Sequence, residues 1–512
     1  MSVRRVVVVG YGMAGARLAD EIRRHDPRAE RVALTVIGAE SHPAYNRVLL
    51  SHVVAGTMST QDVLLHRSDW AEQHGVHLVR GTRVTRIDRE HRRVVLRDGR
   101  TVPYDSLVLA TGCRAWIPPV EGLCTDDGAP ADGVAVFRTL DDCERILGSV
   151  RPGAPVAVLG GGLLGLETAR GLAGRGHPVT VVHPESHLME RQLDPPAGRT
   201  LARVLSGFGI AFRIGRTAVR HVPGWGLELD DGSLVPAGLV VVSAGVRPET
   251  GLAAAAGLAV DRGILVDDAL RTSDPEVYAL GDCAQHPGTV PGLVQPAWEQ
   301  AAVLAARLTG ADPEATYSGT PVVTRLKARG VDLTALGETH VEPGDPSAEV
   351  LRLEDPARGR YAKLVLRDER ITGAVLLGLP DAAATVTQCY DQGTPAPSDR
   401  LALLLGRALP PSTHSSDTSG VAGLPEDTLI CRCNTVSKGQ LVAAWQDGAH
   451  TVPALTARTR ATTGCGGCRD TVCVLAAWLE EQGVSTGTGA AATRTEPSLT
   501  THHHFAQSGA KV

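Results

Sequence analysis

Four cysteines in the last fifth of the chain have the type and spacing of ligands for a metal centre. Cys431 and Cys433 form a C-x-C pair, and Cys465 and Cys468 form a C-x-x-C pair. Four thiolates in two close pairs can enclose a [2Fe–2S] cluster or a zinc ion. A structural zinc site more often uses two C-x-x-C pairs, so the residues alone leave both readings open.

A glycine motif at the start of the chain suggests a second kind of chemistry. Gly10, Gly12 and Gly15 form G-x-G-x-x-G after four consecutive valines that predict a buried parallel strand, and a helical pattern follows. The first glycine permits a tight turn, the second lets a pyrophosphate approach the backbone, and the third allows the helix to pack on the strand. The helix N-terminus then offers unpaired N–H groups to the phosphates. We interpret the motif as a dinucleotide site rather than a structural turn.

The same unit occurs again further along the chain. Gly160, Gly162 and Gly165 lie between a predicted strand, Pro155–Leu159, and the helix that begins near Leu166. One such motif is a weak signal, whereas two complete strand–turn–helix units in one chain predict two dinucleotide sites.

Other residues lie where such sites place their polar contacts. Glu40 follows the predicted strand Arg31–Ile37 and can accept hydrogen bonds from a ribose diol. The corresponding strand of the second unit ends at His183. Thr111 and Gly112 form a small-residue turn after another predicted strand, where a cofactor could approach the backbone.

Length and charge limit the organisation and the partners of the protein. A chain of 512 residues is too long for one core and predicts two to four domains. A net charge of −5 and a hydrophobic fraction of 43% suggest neither nucleic acid nor a membrane surface as partner. The apolar run after Arg5 has only a strand's length, so we expect a cytoplasmic protein rather than a secreted one. Its ten cysteines are then expected to be reduced, metal-bound or redox-active.

The C-terminal part reads as separate units. Alternating strands and a helix over 317–405 predict an α+β domain, and a Pro/Ser/Gly-rich linker occupies 406–427. The cysteine pairs lie in a compact segment, 428–483. The polar tail, 484–512, is expected to be disordered, and we assign no role to its run His502–His504.

Several longer motifs resemble a known family. GYGMAG at 10–15, ATG at 110–112, GGGLLGLE at 160–167 and GDCA at 281–284 resemble the two-dinucleotide flavoprotein reductases. PAYNRVLLS at 43–51, LMERQLD at 188–194 and the cysteine module resemble the flavoprotein part of NAD(P)H-dependent assimilatory nitrite reductases. They equally resemble the electron-transfer subunits of assimilatory nitrate reductases. The C-x-C and C-x-x-C pairs resemble a bacterioferritin-associated-ferredoxin-like (BFD-like) domain, which favours a [2Fe–2S] cluster over zinc.

The resemblance implies an α/β fold with two Rossmann-like domains. A discontinuous FAD domain would comprise 1–120 and 241–312, and an inserted NAD(P)H domain would comprise 121–240. The unit at 317–405 would be the interface domain of such reductases, which implies a possible homodimer, and 428–483 would be a small helical [2Fe–2S] domain.

The resemblance also implies roles for individual residues. The FAD pyrophosphate and ribose would be held by Gly10, Gly12, Gly15 and Glu40, with Asn46 and Arg47 near the flavin ring and Thr111, Gly112 and Asp282 at the cofactor. NAD(P)H would be held by Gly160, Gly162 and Gly165, with Glu167 near the nicotinamide, and the cluster by Cys431, Cys433, Cys465 and Cys468. No residue is required as a general acid or base, because hydride transfer depends on positioning the cofactors.

His183 departs from the pattern of NADH-preferring relatives, which often carry an acid at this position. A carboxylate would accept from the ribose 2′-OH and repel a 2′-phosphate, and histidine does neither strongly. The choice between NADH and NADPH stays open, with a lean to NADH because no arginine follows until Arg191.

The remaining cysteines are expected to play no part in the chemistry. The segment 44–54 has no cysteine, which argues against a flavin-adjacent thiol of the kind that reduces disulfides or persulfides. Cys283 is expected to be a small packed residue, and Cys473 a small buried residue on the helix after the cluster motif.

The function implied is an NAD(P)H-oxidising flavoprotein that passes single electrons through [2Fe–2S] to a separate nitrate or nitrite reductase polypeptide. A ferredoxin- or rubredoxin-type reductase that serves an oxygenase is the alternative within the same class. A regulatory or iron-handling protein that uses the cysteine module for docking or sensing is the alternative in a different class.

Overall fold

Valines 6–9 lie in the central strand of a parallel sheet, as their continuous burial requires. The structure, a computed structural model, describes residues 3–290, 292–405, 421 and 424–486. The first elements are β1 (Arg4–Val9), α1 (Met13–His25), β2 (Val32–Ile37), α2 (Leu50–Val54), α3 (Trp70–Gln73), β3 (His77–Val79), β4 (Val84–Asp88), β5 (Arg93–Leu96), β6 (Thr101–Pro103), β7 (Ser106–Leu109) and β8 (Cys113–Ala115). A short 3₁₀ turn, Arg47–Leu49, precedes α2.

The middle of the chain adds a second strand–helix series. Its elements are β9 (Val134–Val136), α4 (Leu140–Ser149), β10 (Val156–Leu159), α5 (Leu163–Gly174), β11 (Val179–His183), α6 (Pro195–Ser206), β12 (Ile210–Ile214), β13 (Ala218–Val222), β14 (Gly226–Leu229), β15 (Leu234–Pro236), β16 (Leu239–Val242), β17 (Val246–Pro248), α7 (Gly251–Ala255), β18 (Ile264–Leu265), β19 (Val277–Ala279), β20 (Ala284–Gln285) and α8 (Val294–Thr309).

Two five-stranded parallel sheets organise these elements. The first has the order β19-β7-β1-β2-β3, and the second has the order β12-β11-β10-β16-β9. Helix α1 packs against α8 beside the first sheet, so the chain returns to its first domain after building the second. The inserted arrangement of two Rossmann-like units is therefore present, and the predicted fold class is confirmed.

One predicted boundary differs from the strand pairing. The boundary between 240 and 241 would cut β16, but this strand pairs in parallel with both β10 and β9 of the second sheet. The chain leaves the second domain through β17, which pairs with β8, the strand by which it entered. The boundary belongs after Val242, because strand pairing rather than local sequence decides which sheet a buried valine run joins.

The C-terminal units follow. An antiparallel sheet and two helices comprise β21 (Val323–Leu326), β22 (Leu333–Gly337), β23 (Glu349–Asp355), β24 (Arg360–Arg367), β25 (Arg370–Leu377), α9 (Pro380–Gln392) and α10 (Arg400–Leu404). The cysteine segment comprises β26 (Leu429–Cys431), β27 (Val436–Ser437), α11 (Lys438–Gln446), α12 (Val452–Thr459) and α13 (Arg469–Thr486).

The ends of the cysteine segment differ in part from the prediction. Helix α13 runs to Thr486, into the segment predicted to be a disordered tail. Most of the predicted linker and the run His502–His504 lie outside the described residues. Among the helices that the structure describes, none is both long enough and apolar enough to cross a membrane.

Candidate cofactor-binding site

The first glycine turn leaves space above its middle glycine and none at the other two. Gly10 has a φ of +120°, and a Cβ on it would lie 2.0 Å from the carbonyl oxygen of Ala110. A Cβ on Gly15 would lie 1.9 Å from the oxygen of Gly10. Above Gly12 the nearest atom is Arg47 Nε, 3.8 Å from the Cβ position. Because Gly12 is also the N-cap of α1 and makes no side-chain cap, free N–H groups face this space.

The second turn repeats this geometry. Gly160 has a φ of +126°, and its Cβ would lie 2.3 Å from the oxygen of Ser243, while a Cβ on Gly165 would lie 2.1 Å from the oxygen of Gly160. Nothing lies within 4 Å of the Cβ position of Gly162, which caps α5 without a side-chain contact. Both turns are therefore shaped as cradles for a pyrophosphate.

One cavity of about 3900 Å³ connects the two turns with the cysteine pairs. This is several times the ~300–1,000 Å³ of a single small-molecule site, so it can accommodate more than one cofactor. The predicted residues that line it are Gly10, Gly12, Glu40, Arg47, Thr111, Gly112, Gly160, Gly162, Glu167, His183, Asp282, Cys431, Cys433, Cys465 and Cys468. Gly15 and Gly165 are packed beneath the turns instead.

Glu40 and Arg47 form an ion pair at the first turn. Tyr45 also donates its hydroxyl proton to Glu40, at 2.6 Å. The guanidinium of Arg47 lies beside Gly12, so its charge is available to a phosphate on that turn rather than only to a flavin ring. The predicted ribose contact of Glu40 would have to share a carboxylate that already has two partners.

Asp282 is held by two residues that no sequence motif indicates. Arg138 donates to its carboxylate at 2.6 Å, and the Cys113 thiol donates to the same oxygen at 3.1 Å. Burial, reinforced by the charge of Asp282, raises the pKa of Cys113 and keeps its thiol protonated. Arg138 precedes the helix cap at Thr139, but no sequence signal indicates that it reaches Asp282.

Four buried polar atoms on residues that line the cavity have no hydrogen-bond partner among the described residues. Two are Nε and Nη1 of Arg432, which forms an ion pair with Asp391, and the other two are Arg138 Nε and Ser243 Oγ, one near each glycine turn. Buried polar groups are normally paired, so these atoms are suited to contact bound cofactors.

The turn at Thr111 and Gly112 is held by a residue far along the chain, since Thr111 donates its hydroxyl proton to the carbonyl oxygen of Glu249 at 2.8 Å.

Glu167 lies where three domains meet. Its carboxyl group accepts from Ser51 Oγ at 2.9 Å and from the backbone N–H of Lys327 at 3.0 Å. Burial raises the pKa of Glu167, which favours the neutral acid. This places a hydrogen-bonding group, with reduced charge, beside the second turn.

His183 supports the second turn from below. Its Nδ1 accepts from the backbone N–H of Gly161 at 3.1 Å, so the neutral ring carries its proton on Nε2 and donates towards the carbonyl oxygen of His187 at 3.0 Å. A Cβ on Gly161 would lie 2.6 Å from the His183 ring. Its Nδ1 is therefore committed to the turn, while its Nε2 also lies 3.1 Å from Glu190 Oε2. Near the end of this strand, the half-buried Glu190 and the exposed Glu185 both line the cavity.

Asn46 does not line the cavity. Its side chain is 1% exposed and donates to the carbonyl oxygen of Thr463 at 2.7 Å and to that of Gly464, both in the loop before Cys465. The structure adds a contact with the cysteine loop, which no local sequence signal predicts, and the position of Asn46 near the flavin ring stays a prediction.

The four cysteines approach one another as two pairs. The Cys468 thiol hydrogen-bonds to Cys431 and lowers the pKa of Cys431. In the same way Cys433 lowers the pKa of Cys465. Among the described residues, no set of three or more ligand-type side chains surrounds a single metal position. Two separate thiol pairs fit a cluster with two iron atoms, each bound by two thiolates.

The other cysteines differ in their surroundings. Cys283 is buried and packed, which agrees with the sequence prediction. Cys473 is exposed, so its predicted burial is wrong, because α13 directs Val472 and Leu475 inward instead.

Comparison with known families assigns three regions of the chain. Residues 4–301 match the pyridine nucleotide-disulphide oxidoreductase family. Residues 322–394 match the rubredoxin NAD⁺ reductase C-terminal domain, and residues 429–476 match the BFD-like [2Fe–2S] binding domain. The last match confirms the iron–sulfur interpretation of the cysteine pairs.

Individual relatives extend the similarity over most of the chain. Nitrite reductase [NAD(P)H] of Bacillus subtilis (strain 168) is 37% identical over 92% of this chain and 57% of its own length. The assimilatory nitrate reductase electron transfer subunit of the same organism is 34% identical over 92% of this chain and 59% of its own length. The chain thus spans less than two thirds of the length of either relative. The identities of 37% and 34% over most of this chain confirm the predicted resemblance.

A solved structure supports the fold. The covalent putidaredoxin reductase–putidaredoxin complex includes a chain that matches this one with a TM-score of 0.69 and 26% identity. The match covers 79% of this chain and 96% of that chain.

Proposed function

We propose the following function for this chain, which belongs to the pyridine nucleotide-disulphide oxidoreductase family. It is an FAD-dependent NAD(P)H oxidoreductase with a BFD-like [2Fe–2S] domain. Its proposed role is to deliver electrons, in the cytoplasm, to the catalytic polypeptide of a nitrate or nitrite reductase. The name of one relative, an electron transfer subunit of assimilatory nitrate reductase, supports this choice of partner.

The continuous cavity carries this proposal, because it joins a pyrophosphate cradle at each glycine turn with both thiol pairs. In our assignment the turn at Gly10–Gly15 holds FAD, the turn at Gly160–Gly165 holds NAD(P)H, and the four cysteines hold the cluster. When bound, the flavin accepts a hydride and can release its two electrons singly, which the cluster can relay.

The chain's own residues position and insulate these groups. Arg47 places a positive charge beside the first turn, and Arg138 joins the second domain to Asp282 of the first. Glu167 is held by Ser51 and Lys327, so three domains must be assembled before its carboxyl group is fixed. Orientation within ~3–3.5 Å of reacting atoms, rather than proton transfer, is then the chain's contribution to catalysis.

An anaerobic titration of the full chain with NADH and NADPH tests this function. We expect absorbance to show flavin bleaching and EPR to show a reduced [2Fe–2S] signal that grows with it. Flavin bleaching without the EPR signal in fully iron-loaded protein would exclude the electron relay. A metal analysis that found zinc in place of iron would exclude it before any titration.

A ferredoxin- or rubredoxin-type reductase is the second candidate. It is favoured by the match of residues 322–394 to the rubredoxin NAD⁺ reductase C-terminal domain. Turnover with a nitrate or nitrite reductase polypeptide, and none with rubredoxin or ferredoxin, would support the first candidate. The reverse result would support the second.

We further propose that Glu185, two residues after β11, favours NADH. It is exposed at the cavity, while His183 is committed to the turn. A carboxylate there can accept from a 2′-OH and repels a 2′-phosphate. Replacing Glu185 by Gln is expected to raise the ratio of kcat/KM for NADPH over NADH about tenfold, which corresponds to ~1.4 kcal/mol. Steady-state kinetics with both coenzymes measures the ratio.

Glu144→Gln is the matched control, because Glu144 is exposed on α4 and does not line the cavity. An equal ratio in Glu185→Gln and the wild type would show that another residue selects the coenzyme.

A further inference from the structure

The loop before Cys465 is fixed against the first domain at Gly464. A Cβ on Gly464 would lie 2.6 Å from the Cβ of Cys433 and 2.8 Å from Cζ3 of Trp298. Asn46 donates to the carbonyl oxygen of the same glycine and to that of Thr463. The loop is thus held between its own cluster ligand and two side chains of the first domain.

Trp298 connects this loop with the first glycine turn. It lies on α8, is 2% exposed, and donates from Nε1 to the carbonyl oxygen of Met13 at 3.3 Å. Met13 is the first residue of α1, directly after Gly12. Trp298 also shares an apolar core with Cys431, Cys433 and Cys468. One side chain therefore packs against both the dinucleotide turn and the cysteine module.

Charged contacts fix the same interface along α1. Arg17 donates to Asn434 Oδ1 at 2.8 Å, and Arg460 donates to Asp20 Oδ2 at 2.6 Å. Arg17 is largely buried and also pairs with Glu21 of its own helix at 2.7 Å, so Asn434 adds a polar partner from the cysteine segment to an ion pair within α1. A contact with an apolar core and buried polar pairs behaves as a fixed interface rather than a transient one.

We propose that Asn46 and Trp298 are positioning residues that keep the cluster domain permanently docked on the FAD-binding turn. Each NADH oxidised to NAD⁺ and H⁺ then releases two electrons, which travel one at a time through the docked cluster to an external one-electron acceptor. No swing of the cluster domain is required between the two transfers. The inference rests on the proposed function and adds the residues that fix its internal electron path.

Two variants test the docking in the full-length holoenzyme. Asn46→Asp keeps the oxygen that accepts from the Val48 N–H but replaces both N–H donors by a charge facing two carbonyls. Trp298→Phe removes the hydrogen bond to Met13 and part of the ring that packs on Gly464. Trp225→Phe is the control, because Trp225 is 68% exposed in the second domain.

The measurements are anaerobic stopped-flow absorbance for flavin bleaching by NADH and rapid-freeze EPR for cluster reduction. We expect the rate of cluster reduction, divided by the rate of flavin bleaching, to fall about tenfold or more in both variants. The reason is that a small misplacement of reacting groups can lower a rate by up to ~100-fold. Trp225→Phe should keep the wild-type ratio. The cluster's reduction potential and iron content should stay at wild-type values, which separates positioning from damage to the cluster.

Hydrogen exchange gives a readout without turnover. Peptides covering residues 459–468 should exchange faster in both variants than in the wild type or Trp225→Phe. Wild-type rate ratios together with unchanged exchange would overturn the docking proposal. If NADH did not bleach the flavin of the wild-type protein, the proposed function itself would be overturned. The two failures are therefore distinguishable.

Discussion

Replacing Cys465 by serine is expected to abolish the cluster while leaving the flavin reducible by NADH. Cys465 supplies one of the four thiolates, and its backbone N–H donates to Cys433 Sγ at 3.4 Å. Loss of a direct ligand should exceed the ~10–100-fold effects of changing an outer partner, so turnover with a one-electron acceptor should fall more than about 100-fold. Iron should fall from two atoms per chain to near zero, with the EPR signal.

Cys473→Ser is the matched control for this variant. Cys473 is exposed on α13, in the same domain and near the motif, but lies outside both thiol pairs. It should keep wild-type iron content and turnover. Full turnover in Cys465→Ser would mean that electrons leave the flavin directly, and the relay would have to be abandoned.

Alanine at Gly10 and at Gly160 is expected to separate the two dinucleotide sites. Each new Cβ would meet a carbonyl oxygen, at 2.0 Å and 2.3 Å respectively, at a positive φ. Backbone strain of this kind costs ~1–3 kcal/mol, and the close contact adds to it. At limiting FAD, the FAD occupancy of Gly10→Ala should therefore be lower than that of the wild type by about tenfold or more. Gly160→Ala should keep its FAD and show a KM for NADH raised by about tenfold or more.

Gly99→Ala controls for the conformational part of this effect. Gly99 also has a positive φ, +86°, but nothing lies within 4 Å of its Cβ position. FAD content is measured by absorbance after gel filtration, and KM by steady-state kinetics. If both turn variants lost FAD equally, our assignment of FAD to the first turn and NAD(P)H to the second would be wrong.

The local motifs were readable from sequence because their geometry is local. A G-x-G-x-x-G turn needs these glycines for local reasons, since Gly10 has a φ of +120° and a Cβ on Gly15 would lie 1.9 Å from the oxygen of Gly10. The valine runs predict parallel strands because both faces of such sheets are buried. The paired cysteines likewise declare themselves through residue type and spacing.

The roles of Asn46, Arg138 and His183 could not be read in this way. Arg138 reaches Asp282 across the domain boundary, and Asn46 reaches Gly464, 418 positions away in the chain. His183 ends the expected strand, but its ring turns beneath Gly161. Each of these contacts depends on how separately folded units pack, which neither hydrophobic period nor turn chemistry encodes.

Two dinucleotide turns and a four-cysteine module are recognisable in the amino-acid sequence, because each is specified by residues close in the chain. Folding brings all three to one cavity and places α1, α8 and Asn46 against the cysteine loop. These contacts could not be predicted from local patterns, since they join residues hundreds of positions apart. They form only after each domain has buried its own core and presents a complementary surface to the next.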